Sequence, residues 1–356
     1  MKQRLLALVV CPLCGDDLRC DPDDVDRADA EEIMEAELSC ARGHRYPVIN
    51  GVPRLLAPEL LADTLRQFHA QHFRRYRAYW ENTPSAESST EGRTLRSFSY
   101  QWNVFSEMYP HWEENFRSYF EPLVKRDDFA GKLVLDAGCG FGRHAFYAAK
   151  FGAEVLAMDL SEAVEAAYEN TRSLDNVHVV QADLYRAPLR PVFDLIYCVG
   201  VIQHLSRPAE GFGRLASLLR ETGGLFVWVY GKRQGFYRGV DLLRLVSTRL
   251  SLRWLYGITF FLNLASFLCF SLPYRILRSV PLARRLADVW PFTRYANLPL
   301  RVGHADWFDR LSVPSTVYFS REQVEDWYAV TDLSDVEIQS RDGIGWRALG
   351  KAKVNC

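Results

Sequence analysis

Between residues 133 and 230, short apolar runs alternate with segments of helix length. The runs are Leu133–Leu135, Glu154–Met158, Val177–Gln181, Phe193–Cys198 and Gly224–Tyr230. Such alternation predicts βαβ units and a parallel sheet, with any ligand at the carboxyl ends of the strands. The pattern resumes late in the chain: Ser320–Val330 has helix length, and Asp335–Ser340 and Trp346–Lys353 follow as strands. The expectation is an α/β fold, a doubly wound and mostly parallel sheet, with a core at 121–231 completed by a final helix and two strands at 313–356. Residues 1–58, 59–120 and 232–312 lie outside this pattern.

The first strand runs into Asp136-Ala137-Gly138-Cys139-Gly140-Phe141-Gly142-Arg143, and a helix-like stretch, His144–Lys150, follows. Glycines at alternate positions let the backbone approach a ligand and take positive φ, and the helix start offers free N–H groups. The spacing differs from the G-x-x-x-x-G-K-[ST] phosphate loop, and no lysine follows, which argues against a nucleoside triphosphate. It also differs from the G-x-G-x-x-G dinucleotide fingerprint. Asp159 ends the second strand, 23 residues after Asp136, where an acidic residue is placed to accept from ribose hydroxyls. Asp183 follows the third strand.

At these residues the chain resembles the class I S-adenosylmethionine-dependent methyltransferases, whose first motif reads much like LDAGCGFGRHA. The resemblance implies a Rossmann-like core that binds S-adenosylmethionine, with Asp183 accepting from the adenine amino group. The candidate cofactor set is Asp136, Gly138, Cys139, Gly140, Gly142, Asp159, Leu160, Asp183, Leu184 and Val199. Further upstream, Ser97-Phe98-Ser99-Tyr100-Gln101-Trp102 resembles the F-x-Y-Q-W segment of bacterial small-molecule methyltransferases. That likeness adds Gln101 and Trp102, as part of a lid over the cofactor; plain core packing of an amphipathic helix is the alternative. Before this block, Leu60–Trp80 mixes apolar and basic residues, and Pro84–Gly92 reads as a mobile linker. Together these segments make 59–120 a region of linker and lid helices.

Cys11-Pro12-Leu13-Cys14 and Cys40-Ala41-Arg42-Gly43-His44 supply two close pairs of soft donors, a pattern suited to one tetrahedral structural zinc ion. Metal would also stabilise a segment too small for a core of its own. Cys20 competes as a ligand, and the acidic stretch Asp16–Glu37 reads as a solvated loop or arm. The wording around the pairs resembles the zinc ribbons of small methyltransferase-activator subunits and of the 23S rRNA guanine-N1 methyltransferases. It departs from many activators in carrying His44 where they have a fourth cysteine. A ribbon fused to its own catalytic domain could serve stability alone.

A net charge of −1 and a pI near 6.7 argue against a nucleic-acid footprint over the whole surface. The apolar run before Cys11 is too short for a signal peptide. Cysteines at the glycine turn and at metal spacing point to a reducing, cytoplasmic setting. Charge is nevertheless uneven. Residues 236–310 hold eleven arginines, no lysine, four aspartates and no glutamate, near +7 against about −8 for the remainder. Inside this insert, Trp254–Tyr274 is 21 residues without a charge, long enough as a helix to cross a bilayer core. A single crossing would leave the last two strands on the wrong side of the membrane. The insert is therefore expected to be a soluble cap shaping the substrate site, a helical hairpin or an interfacial element, with Asn263 and Pro273 bending or breaking it. A homodimer surface and contact with an anionic membrane both stay open, the latter with peripheral membrane localisation.

Methyl transfer needs alignment, exclusion of water and, for a hydroxyl or acidic carbon, a base. His204, just beyond the fourth strand, is the leading base, with a structural role in the strand–helix turn as the alternative; His111 and His304 are weaker candidates. The Asn/Asp-Pro-Pro-Tyr turn of amino-group methylation is absent, since that place reads Cys198-Val199-Gly200-Val201. Three classes follow: a small-molecule or lipid-linked O- or C-methyltransferase, favoured by the aromatic block and the insert; an RNA methyltransferase, suggested by the ribbon; and a cofactor-binding scaffold, against which the intact acidic set speaks.

Overall fold

Five runs of apolar residues form the centre of the sheet because they have core on both faces. Leu135, Leu156, Ile196 and Leu225 are buried on one face, while Val134, Val155, Leu195 and Phe226 are buried on the other. This alternation follows from the two-residue period of a strand. The computed structural model describes residues 1–20, 26–29, 32–72, 89–232, 236–291, 293–314 and 316–353. It divides into two compact units, Met1–Arg233 with Ser315–Cys356, and Gln234–Pro314.

The strands of the first unit are β1 (Leu18–Cys20), β2 (Asp26–Asp29), β3 (Glu32–Cys40), β4 (Arg45–Ile49), β5 (Val52–Leu55), β6 (Leu133–Ala137), β7 (Glu154–Asp159), β8 (Val177–Ala182), β9 (Phe193–Val199), β10 (Leu219–Tyr230), β11 (Leu333–Arg341) and β12 (Gly345–Ala352). They lie in one sheet, in the order β1-β3-β4-β5-β8-β7-β6-β9-β10-β12-β11, with β2 paired to β3. The central strands are parallel, and β12 runs antiparallel to β10 and β11. One face carries the helices Pro208–Ala216 and Arg321–Ala329 through Phe212, Trp327 and Tyr328. The other carries Trp112–Phe120, Arg143–Lys150 and Ala163–Thr171 through Phe116, Ala148 and Ala167. The order reverses at β6, so the connections leaving the paired strands β6 and β9 run to opposite faces of the sheet, the arrangement that places a ligand site at the strands' carboxyl ends.

The N-terminal residues are part of this sheet. Residue pairs Arg54–Gln181 and Leu55–Ala182 join β5 to β8 in parallel, and Leu38, Tyr46 and Val48 belong to the same core as Leu156 and Val180. The expectation of a solvated loop over Asp16–Glu37 is corrected: among the described residues that stretch contains β1, β2 and most of β3. Within it Glu37 is buried and accepts from Arg45 at 2.6 Å. Of the Leu60–Trp80 approach and the Pro84–Gly92 linker, residues 73–88 lie outside the described residues. The linker ends earlier than expected, because the Ser89 side chain accepts from the Gly92 amide and caps the helix Thr90–Val104.

In the second unit, the helix Leu252–Ser266 passes through one π-helical turn, Phe267–Ser271, into the helix Leu272–Ser279. Of the expected bend or break at Asn263 and Pro273, no break occurs; the α geometry is interrupted just before Pro273 by the π turn. Asn263 is buried and donates to the Leu300 carbonyl at 2.9 Å, linking this helix to Leu300–Ser312. Pro273 stands in the first turn after the π segment, where its missing N–H and its ring are accommodated.

Candidate active site

The glycine turn is shaped by what surrounds it. Gly138 has φ 83° and its amide donates to the Met158 carbonyl at 2.7 Å. A β-carbon on it would stand 2.3 Å from Cγ2 of Val201, so the turn closes against the residue that follows β9. Gly142, also at φ 83°, precedes the helix Arg143–Lys150. Between them the Gly140 amide donates to Asp159 Oδ2 at 2.9 Å. The turn after β6 and the end of β7 are thus tied directly together.

The three expected aspartates all lie at strand ends, in different states of engagement. Asp136, at the end of β6, is fully buried, and burial pushes its carboxyl up to about 8; Tyr197 and the Ala145 amide face it and oppose that shift. Asp159 Oδ1 accepts from the amide and hydroxyl of Ser161 at 2.8 and 2.7 Å. Burial nevertheless holds its carboxyl above the ordinary range. A carboxylate has about four acceptor sites, so Asp159 retains capacity for a ribose hydroxyl. Asp183 accepts from the Tyr185 amide at 3.0 Å, and it too is raised by burial. Leu160 and Val199 are half-buried at the ends of β7 and β9, and Leu184 is buried after β8. The Cys139 and Cys198 thiols are buried and held well above their ordinary range by burial, which disfavours a nucleophilic thiolate at either.

The aromatic block forms the second half of the helix Thr90–Val104. Trp102 lies at 3.5 Å from where a Gly140 β-carbon would stand, and its ring packs on Phe141 with centroids 5.4 Å apart. Ser99 Oγ accepts from the Glu162 amide, and Asn103 donates to the Glu162 carbonyl. Gln101 is buried. The helix therefore sits across the glycine turn and the loop after β7.

His204 ends the short 3₁₀ turn after β9, with Phe98 at 5.1 Å and Tyr230 at 6.3 Å between ring centroids. His111 stacks on Tyr109 and packs on Trp112, and burial, with Arg143 nearby, lowers its pKa. His304 belongs to the second unit, where its Nε2 is engaged by Thr259 Oγ1 at 3.1 Å and the Tyr256 carbonyl at 3.0 Å. That makes it an interhelical cross-link.

Two residues that sequence patterning passed over stand beside this turn. Gln203 has no solvent exposure, and neither its Oε1 nor its Nε2 has a hydrogen-bond partner. Trp228, on β10, is buried with an unpartnered Nε1. Gln203 Nε2 and the Trp228 ring lie at 3.6 and 3.7 Å from where a Gly200 β-carbon would stand. Buried polar groups are nearly always satisfied, which makes this pair a candidate place for a polar ligand group.

On the other side of the sheet's N-terminal extension, Cys11, Cys14, Cys40 and His44 bring four donor atoms within 4.8 Å of one another. Cys11 Sγ and Cys40 Sγ lie 3.4 and 3.3 Å from His44 Nδ1, and Cys14 Sγ lies 3.7 Å from Cys40 Sγ. Tetrahedral ligands at about 2.0–2.3 Å from zinc have separations of this order. Cys20, opposite Leu38 on β1, is outside the group. A second histidine–carboxylate cluster, His69 with Glu162 and Glu165, surrounds the buried Arg54. Burial alone would raise the Glu162 carboxyl, but Arg54 and His69 hold it below its ordinary range. These ion pairs fasten β5 to the loop after Asp159.

A family model described as a methyltransferase domain matches residues 135–227, the interval that contains the glycine turn, the three aspartates and the end of β9. This part of the chain is a class I S-adenosylmethionine-dependent methyltransferase domain. An uncharacterised protein of Synechococcus is 41% identical to the chain over 130 residues, 34% of this chain and 31% of that protein. The ubiquinone biosynthesis O-methyltransferase of Thiobacillus denitrificans is 35% identical over 138 residues, 34% of this chain and 59% of that enzyme. The tRNA U34 carboxymethyltransferase of Idiomarina loihiensis is 31% identical over 106 residues, 28% of this chain and 33% of that enzyme. The matches therefore span 31% to 59% of these relatives' own lengths.

Proposed function

We propose that the protein is an S-adenosylmethionine-dependent methyltransferase acting on a hydroxyl or carbon of a small-molecule or lipid-linked acceptor. The observation that carries this reading is the meeting of a positive-φ glycine turn, strand-end carboxylates and an unsatisfied buried amide at the carboxyl ends of the central strands. The likeness to the Thiobacillus ubiquinone O-methyltransferase supports an oxygen acceptor. When bound, the cofactor supplies an electrophilic methyl carbon on a sulfonium. Asp159 would hold the ribose hydroxyls and Asp183 the adenine amino group. Trp102 and the rest of its helix would exclude water. His204 would take the proton that an acceptor hydroxyl gives up on methylation. The test is transfer of labelled methyl to a panel of phenolic, catecholic and polyprenylated acceptors. Transfer confined to structured RNA would favour the second reading, which rests on the Idiomarina likeness.

The carboxyls give a pH dependence. In the free protein Asp136 keeps its proton up to about 8, whereas an ammonium or sulfonium beside it favours the carboxylate. Binding of S-adenosylmethionine should therefore release protons and tighten as pH rises from about 6 to about 7.5, below the titration of the ligand's own amine near 7.7. Calorimetry in buffers of different ionisation enthalpy measures the release; proton uptake, or a flat affinity, contradicts it. The sign for stability is opposite. Asp136 is raised in the folded state, so its contribution is present below its ordinary 3.8 and is lost as pH climbs through about 8.

Zinc belongs to the same proposal, as a structural ion on Cys11, Cys14, Cys40 and His44. Because β5 is fixed to the ribose-side loop through Arg54, loss of the ion should loosen both. Metal analysis of untagged protein should find about one zinc per chain. Cys14→Ser should lose it and melt at lower temperature. A metal-free wild type that melts like the holoprotein would refute the assignment.

A further inference from the structure

One helix of the second unit turns polar side chains inward and large apolar ones outward. Along the continuous helix Leu252–Ser279, 28 residues whose most apolar 18-residue stretch has mean hydropathy 1.8, the buried face carries Thr259, Asn263 and Ser271 beside Leu255 and Tyr274. Thr259 and Asn263 bond to the helix Leu300–Ser312, through His304 and the Leu300 carbonyl. Gly303 lies so close that a β-carbon there would stand 2.5 Å from Asn263 Oδ1. The opposite face is a stripe of large apolar side chains, Trp254, Ile258, Phe261, Leu268, Leu272 and Ile276, all exposed. Their spacing of three, four or seven residues keeps them on one side of the helix. Trp254 is 75% and Phe261 68% exposed. Small and hydrogen-bonding residues between helices, with apolar residues outward, is the arrangement that a hydrocarbon surrounding favours and water opposes.

Charge identifies the surrounding. Arg253 stands exposed at one end of the stripe and Arg275, Arg278, Arg284 and Arg285 at the other. We propose that this face inserts in the plane of an anionic lipid bilayer. Apolar side chains would enter the acyl boundary and the arginines would meet phosphate headgroups. Insertion is in-plane because a single crossing would separate β10 from its partner β12. The return segment cannot lie in hydrocarbon either, since it carries Arg284, Arg285, Asp288, Asp306 and Asp309. The proposal is independent of the methyl acceptor.

The full chain should float with vesicles of mixed phosphatidylglycerol and phosphatidylcholine, and far less with phosphatidylcholine alone. Added salt should weaken the attachment without abolishing it, because it screens the arginines and leaves the apolar contribution. The triple variant Trp254→Ser, Phe261→Ser, Leu268→Ser alters exposed positions and should keep the wild-type melting temperature. Its vesicle affinity should fall on the order of a hundredfold. Wild-type emission should shift to the blue and be quenched by lipids brominated in the acyl chain, and Trp254→Phe should lose most of that response. Failure to float with anionic vesicles, or equal flotation of the triple variant, would overturn the proposal. So would a lipid-free dimer that shields Trp254 from aqueous quencher, which would assign the stripe to a second copy of the chain.

Discussion

Gly138→Ala should abolish S-adenosylmethionine binding and lower stability by about 3 kcal/mol. Two costs coincide at this position. Its φ of 83° lies in the left-handed region, where a non-glycine residue costs roughly 1–3 kcal/mol. The added β-carbon would also stand 2.3 Å from Cγ2, 3.0 Å from Cγ1 and 3.1 Å from Cβ of Val201, so Val201 or the glycine turn must shift to admit it. Either the glycine turn retreats, breaking the 2.7 Å bond from Gly138 to the Met158 carbonyl, or the turn after β9 moves. Both elements lie at the carboxyl ends of the central strands. Urea melts and calorimetry measure the two losses together. Gly138→Ala with Val201→Ala separates them: removing the clash should recover roughly half the stability, leaving the backbone cost. Wild-type affinity in the single variant would detach Gly138 from the cofactor site.

The strand ends were legible because their signals are local. A glycine turn, an aspartate 23 residues on and a further aspartate after the next apolar run each need only a few neighbours to be recognised. The grouping of Cys11, Cys14, Cys40 and His44 was legible for the same reason. What escaped is non-local. In β3, Glu32, Glu35 and Glu37 interleave with Ile33, Met34 and Leu38, so an acidic composition concealed a strand paired on both sides. The merging of the ribbon with the catalytic sheet depends on Arg54 meeting Gln181, 127 positions away, which no local pattern reports. Asn263 and Pro273 read locally as a bend or break; that Asn263 instead ties its helix to the Leu300 carbonyl, 37 residues on, is likewise non-local. Gln203 gave no signal because its significance lies in lacking partners, which only packing reveals.

That unsatisfied amide supports the sharpest test of the site. Gln203→Met conserves approximate volume and removes two buried polar atoms without partners, each of which costs roughly 1–3 kcal/mol when left unmade. The free protein should therefore become more stable by about 1–2 kcal/mol, a rise of roughly 1–4 °C in melting temperature. Methyl transfer should move the other way, falling about ten- to a hundredfold if the amide bonds a polar group of acceptor or cofactor. Gain of stability with loss of function is the signature of a group held unsatisfied for a ligand. The two ligands can then be told apart. A weaker S-adenosylmethionine affinity by calorimetry places the amide on the methionine end of the cofactor, whereas unchanged affinity with a raised acceptor KM places it on the acceptor. A variant that melts lower and transfers methyl at the wild-type rate would show instead that Gln203 serves packing, and would remove it from the site.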